Sequence, residues 1–145
     1  MGGIDTKRWL LGGLAAGVFI WVVEGVASML YMEDMRAAVE AHSLSPMEMS
    51  ASMAVAGAIL SLVMGLTIVF FYAMARARLG PGPLTAVTVG VVYFVGSYLM
   101  TLVGYRMMGL FPDRLLAIWA VIGLVEIVLA ALVGGYIYKE KPAAA

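Results

Sequence analysis

Residues 53–74, MAVAGAILSLVMGLTIVFFYAM, carry no charged side chain, and their reading decides the fold. A helix that crosses a bilayer needs about 20 mostly apolar residues, because the hydrocarbon core is about 30 Å thick and each residue rises about 1.5 Å. This stretch meets that length with Ser61, Thr67 and Tyr72 as its only polar side chains. Downstream it runs into Arg76, Arg78 and then LGPGP at 79–83. Two prolines that lack an N–H and two glycines that favour turns cannot continue a helix. The segment therefore reads as a tight hairpin, and a second apolar run follows it at 84–108. Two further runs at 9–32 and 115–138 complete a set of four, the last entered through GLFPD at 109–113. The expectation is one all-α domain over 1–145, an integral membrane four-helix transmembrane bundle with an outer loop at about 33–46.

Composition supports lipid as the solvent. The chain is 63% hydrophobic and 12% charged, against roughly 45–50% and about 25% for soluble domains. Nine basic and nine acidic residues cancel without forming a basic patch, so a nucleic-acid partner has no electrostatic footprint. With no cysteine, disulfides, thiolate metal sites and thiol nucleophiles are excluded together. The first run follows Lys7 and Arg8 but is too long for a signal peptide and lacks an A-x-A site, so it is expected to remain as an anchor.

Charge also suggests a direction. Lys7, Arg8, Arg76, Arg78, Lys139 and Lys141 fall at one end of the bundle, and Arg36, Arg106 and Arg114 at the other. The positive-inside rule then places both termini in the cytoplasm. Ser45-Pro46-Met47-Glu48 reads as a capping box with Pro at the first helical position, which predicts that the second helix starts at Pro46 and extends about 45 Å to Ala75. The outer loop EDMRAAVEAHSLSP has helical composition, so a short surface helix is expected there, with disorder as the alternative.

Helices in lipid gain nothing hydrophobic from touching, so close approach through small residues and interhelical hydrogen bonds must hold them. Gly13 and Gly17 supply such a stripe in the first helix; Gly57, Ser61 and Gly65 in the second; Gly90, Ser97 and Gly104 in the third; Gly123, Ala130 and Gly134 in the fourth. Two carboxylates share these stripes. Glu24 lies seven residues after Gly17, and Glu126 three after Gly123. A charged acid at bilayer depth costs about 2.5–3.5 kcal/mol on insertion scales, which turns such residues into the bundle. Their depths, roughly 12 Å and 16 Å from the outer helix ends, are compatible with one site. Tyr98, Thr101 and Tyr105 on the third helix are candidate partners, and Arg106 is placed to reach inward and form an ion pair.

Two readings of these carboxylates stand side by side. In one, each is a protonated hydrogen-bond donor that fixes helix packing, worth about 1–2 kcal/mol; in the other they form a proton or cation site. Packing is preferred, because a transporter needs an entry path that no sequence displays. The fragments VVEGVASML and LVEIVLAAL lie in helices of opposite direction, as an inverted repeat would place them.

Methionine is abundant, with twelve residues, nine of them near the outer face. Thioethers suit Cu(I), so Met47, Met49 and Met53 with His42 are candidate ligands; the simpler reading is adaptable surface filler. Trp9, Tyr31, Trp119, Tyr136 and Tyr138, near the segment ends, read as interface anchors. No phosphate-binding loop, zinc-protease motif or Ser/His/Asp set occurs.

The runs VFFYAMARARLGPGPLTA and MGLFPDRLLAIWAVIGLVEIVLAALVGGYIYKE resemble the pattern of small bacterial four-span membrane proteins, a likeness that implies topology and an inner membrane but no activity. The placement of Glu24 is similar to that of the proton-coupled glutamate of small multidrug resistance transporters, a similarity confined to that residue. Membrane-associated glutathione enzymes share the size and span count, without their Arg- and Asn-containing helix motif. The expectation is a non-enzymatic structural or accessory membrane component without a cofactor, in contact with lipid and with another membrane protein or a second copy of itself. The alternative is a small proton-linked transporter; outer-face Cu(I) binding ranks below it.

Overall fold

A computed structural model describes residues 4–42 and 50–139. Its described residues form helices and turns, with no strand among them. The first membrane-length helix, α1 (Thr6–Ala27), is capped by Asp5, whose side chain accepts from the Arg8 N–H at 3.1 Å. It tightens into a 3₁₀ turn at Ser28–Leu30, and the short helix α2 (Met32–Ala41) follows. The second long helix, α3, runs over Ala51–Leu79. The third, spanning Pro83–Met107, consists of α4 (Pro83–Tyr93), a π-helical stretch (Phe94–Leu99) and α5 (Met100–Met107). The fourth, α6, is Asp113–Ile137. All four are long and apolar enough to cross a membrane, and the chain is an all-α four-helix bundle.

The expected start of the second helix at Pro46 is corrected. Ser50 has extended backbone geometry, and its Oγ accepts from the Met53 N–H at 3.3 Å, so the helix begins at Ala51 with Ser50 as its cap. The proposed capping box at 45–48 lies outside the described residues. Between α3 and α4 the chain turns as LGPGP requires. Gly80 and Gly82 take φ of 82° and 143°, where a side chain would be strained. The Gly82 N–H donates to the Tyr72 hydroxyl, and the Thr85 hydroxyl donates to the Gly80 carbonyl at 2.7 Å.

Helix α6 is the centre of the bundle, in contact with α1, α3 and α4; α1 also runs closely against α3. Glycine makes these approaches possible. A Cβ on Gly17 would lie 2.6 Å from the Leu62 Cα, one on Gly13 2.8 Å from the Leu66 Cα, and one on Gly65 would strike the α1 backbone. Gly90 approaches Val128 in the same way, and Gly12, absent from the expected stripe, meets the carbonyl of Gly134 on α6. The expected stripes are corrected in part: Gly57 and Gly104 face open space, and Ser97 is exposed. Outward-facing positions such as Val22, Val26, Leu60, Val92 and Val121 are large, apolar and exposed, as lipid contact demands.

Two of the tyrosines expected to anchor the membrane interface, Tyr31 and Tyr138, are instead buried, whereas Tyr136 is 75% exposed. Tyr138 is 1% exposed, packs edge-to-face on Tyr72 at 6.2 Å, and its carbonyl accepts from Arg76 at 3.1 Å. Trp9 does anchor, but to protein: its indole N–H donates to the Leu66 carbonyl at 2.8 Å.

Candidate functional site

The up-and-down course of the chain brings the end of α1, the start of α3, α5 and the start of α6 to one end of the bundle. There they surround a cavity of about 560 Å³. Glu24 lies on its wall, with Tyr98, Thr101 and Tyr105 from the third helix and Ser61 from the second. Of the six residues expected to form a polar site, four therefore line one cavity. Its lining residues Trp21, Gly25, Ala54 and Thr101 are exposed, so the cavity opens on the surface of the bundle.

The remaining two residues behave differently. Glu126 is 4% exposed and does not line the cavity, yet it lies within electrostatic reach of Glu24. Tyr98, on the cavity wall, is within reach of both carboxylates. The Glu126 Oε1 is buried and has no hydrogen-bond partner among the described residues. Such an orphaned buried acceptor costs about 1–3 kcal/mol, more if it is charged. Arg106, expected to reach inward, points away. It forms a forked pair with Asp113 across the turn before α6, at 2.9 Å and 3.4 Å, with both side chains largely solvated. A carboxylate in the first helical turn, open to water, is a less costly partner than one that must be reached through the bundle. Arg114 is likewise held by Asp34 of α2 at 3.2 Å.

The partner of Glu24 is Tyr31, whose hydroxyl donates to the Glu24 Oε1. Tyr31 was expected at the membrane interface, but it is 4% exposed. The spacing contained the signal: Gly17, Glu24 and Tyr31 recur at seven, two helical turns each, so they share a face. Trp119 stands seven residues before Glu126 in the same relation. From Tyr31 a run of edge-to-face rings continues through Trp119 at 5.7 Å and Phe111 at 4.9 Å to Tyr105 at 5.4 Å. This aromatic wall joins the start of α2, α6, the 109–113 turn and α5.

Tyr98 owes its place to the π-helical stretch at Phe94–Leu99. Widened turns of this type rotate the side chains that follow them and recur at functional sites. The Tyr98 ring stacks on Phe94 at 5.9 Å and lies over Gly123, where a Cβ would come within 2.5 Å of it. Gly123 therefore serves as the seat of the Tyr98 ring. The hydroxyls of Ser97 and Thr101 donate to carbonyls four residues back, at 2.7 Å and 3.0 Å, which serves backbone groups along the distorted turn.

Of the proposed copper ligands, Met47 and Met49 lie outside the described residues, and Met53 is partly exposed in the first turn of α3. Among the described residues no group of three or more His, Asp or Glu could hold a metal ion. The His42 ring is engaged with the carbonyl of Ala38 at 2.9 Å. Comparison with protein-family models, curated proteins and solved structures finds no match.

Proposed function

We propose that this chain is a small proton-linked membrane carrier that uses Glu24 and Glu126 as its titrating pair, without enzymatic activity of its own. One observation carries this reading: among the described residues neither carboxylate makes the hydrogen bond between membrane-length helices that a packing role requires. Glu24 is bonded locally, to Tyr31 seven residues on, and the Glu126 Oε1 is bonded to nothing among the described residues. A buried acid retained at a cost to stability, next to an open cavity with a second acid on its wall, fits a group that exchanges a proton.

In this reading the Glu24 carboxylate meets the cavity contents, and Glu126 shares its charge state through their mutual repulsion. A cation held at Glu24 favours the ionised over the protonated carboxyl, so its arrival favours proton loss. Tyr31 holds the Glu24 carboxylate through its hydroxyl. The protein sits in a bacterial inner membrane with both termini cytoplasmic, which places the cavity at the outer end. The bias of basic residues toward the opposite end supports this orientation.

Proteoliposomes loaded with a pH-sensitive dye test the function. Under an imposed pH gradient the wild type dissipates the gradient, and Glu24→Gln and Glu126→Gln, folded normally, do not. If both Gln variants match the wild type, or if none of the three moves protons, the carrier reading fails and a structural or accessory role takes its place.

A further inference from the structure

A groove of about 950 Å³ runs between the second and third membrane-length helices, and no residue that lines it lines the Glu24 cavity. One wall is α3 from Phe71 to Leu79; the other is Thr88 to Ser97, on α4 and the π-helical stretch. The rings of Phe71 and Tyr93 meet across it with centroids 6.2 Å apart. Met74 and Val92 are 54% and 66% exposed along its walls. Its two aliphatic hydroxyls are spent on backbone, Thr88 donating to the Leu84 carbonyl at 2.8 Å and Ser97 to the Tyr93 carbonyl at 2.7 Å. What remains is an apolar surface with one charge. Arg78 is the single charged residue in the lining, and among the described residues it has no hydrogen bond or ion pair.

From this geometry we infer that the groove holds an anionic glycerophospholipid, one acyl chain laid between α3 and α4 and its headgroup phosphate set against Arg78. The inference goes beyond proton exchange and uses neither glutamate. Length is the first support: the eight-residue step from Phe71 to Leu79 rises roughly 12 Å, close to the roughly 15 Å depth of one leaflet in a hydrocarbon core about 30 Å thick. Position is the second. Arg78 lies in the last turn of α3, beside the 79–83 turn, where a headgroup leaves the hydrocarbon, and basic pockets between membrane-spanning helices bind anionic headgroups. The third support is Gly96. Glycine inside a helix weakens it relative to alanine, yet a Cβ at Gly96 would meet nothing within 4 Å. No helix crossing calls for this glycine, and without a side chain it leaves the groove wall open to an acyl chain. A second copy of the protein fits less well. A two-fold axis along the membrane normal sets one face against itself, which would bring two Arg78 side chains together with no acid in either lining.

Native mass spectrometry of the full chain released from detergent tests the inference with two lipids of identical acyl chains, dioleoyl phosphatidylglycerol and dioleoyl phosphatidylcholine. The expected result is a phosphatidylglycerol retained by each chain about fivefold more tightly than phosphatidylcholine. Arg78→Gln should bring the two lipids to equal affinity. Gly96→Phe and Val92→Trp, both of which fill the groove from its open side, should displace both lipids, with thermal unfolding in detergent confirming that each variant is folded. Lys7→Gln, an exposed cation outside the lining, should leave the preference unchanged.

Equal retention of the two lipids by the wild type would overturn the inference, as would a phosphatidylglycerol preference that survives Arg78→Gln. If Lys7→Gln abolishes the preference as fully as Arg78→Gln, the attraction belongs to the summed charge of that end of the bundle and the site falls. Lipid binding that persists in both folded groove-filling variants would remove the acyl chain from the groove. A dimer without bound lipid, broken by Val92→Trp, would give the groove to a second copy instead.

Discussion

The two ends of this bundle differ in how their helices meet. At the end that holds Asp5, the 79–83 turn and Tyr138, glycine lets backbone approach backbone, with Gly12 meeting Gly134 beside a cavity of about 500 Å³ lined by Tyr72, Arg76 and Tyr138. At the other end a cavity of about 560 Å³ has Glu24 on its wall, a helix widens into a π turn, and a buried acid has an oxygen without a partner among the described residues. Helix pairs in lipid have little besides close packing to hold them. The glycine-packed end therefore carries the association, and the end with Glu24 is free to hold polar groups that destabilise it. That division resembles the general separation of a rigid frame from a less stable working region.

The contrast can be broken at its glycine contacts first. Gly65→Leu would drive a side chain into the backbone of α1 at Gly13 and Gly17, and the overpacking should cost about 3 kcal/mol or more. Thermal unfolding in detergent should show a severe loss of stability or no folded protein. At the end with Glu24 the same measurement should move the other way. Glu126→Leu removes an unpartnered acceptor and should raise stability by about 1–3 kcal/mol while abolishing proton flux; a fall in stability would mean that Glu126 is a packing donor after all. Tyr31→Phe removes the hydroxyl that serves Glu24 but keeps the ring on Trp119, and should lower stability by about 0.5–1.5 kcal/mol. The smallest effect is expected at Gly57, where an added Cβ meets nothing within 4 Å. Gly57→Ala should be neutral or stabilising by less than about 1 kcal/mol, and a large loss there would show a contact that the bundle does not account for.

How much of the site was legible depends on the distance over which each signal acts. Glu24 and Glu126 stand out because an acid in a greasy run is conspicuous at any spacing. Tyr31 and Trp119 were legible too, each seven residues from its glutamate, but their positions near helix ends pointed equally to a membrane interface. Arg106 could not be placed from its depth along the helix, since its partner Asp113 depends on how the 109–113 turn folds back. Gly12 and Gly57 make the same point for packing: a four-residue spacing identifies a face, but only the crossing of α1 over α3 and α6 decides which part of that face is covered.

The sequence by itself determined the solvent, the number of membrane-length helices and the turns between them, because length, hydropathy and the chemistry of proline and glycine act within a few residues. Tertiary structure alone decided that Glu24 faces a cavity while Glu126 is sealed beside it, that Tyr98 is seated on Gly123, and that Arg106 and Arg114 are held by Asp113 and Asp34. Each of those outcomes depends on the rotation of one helix against another, and in lipid that rotation is set by small differences in packing that no single segment contains.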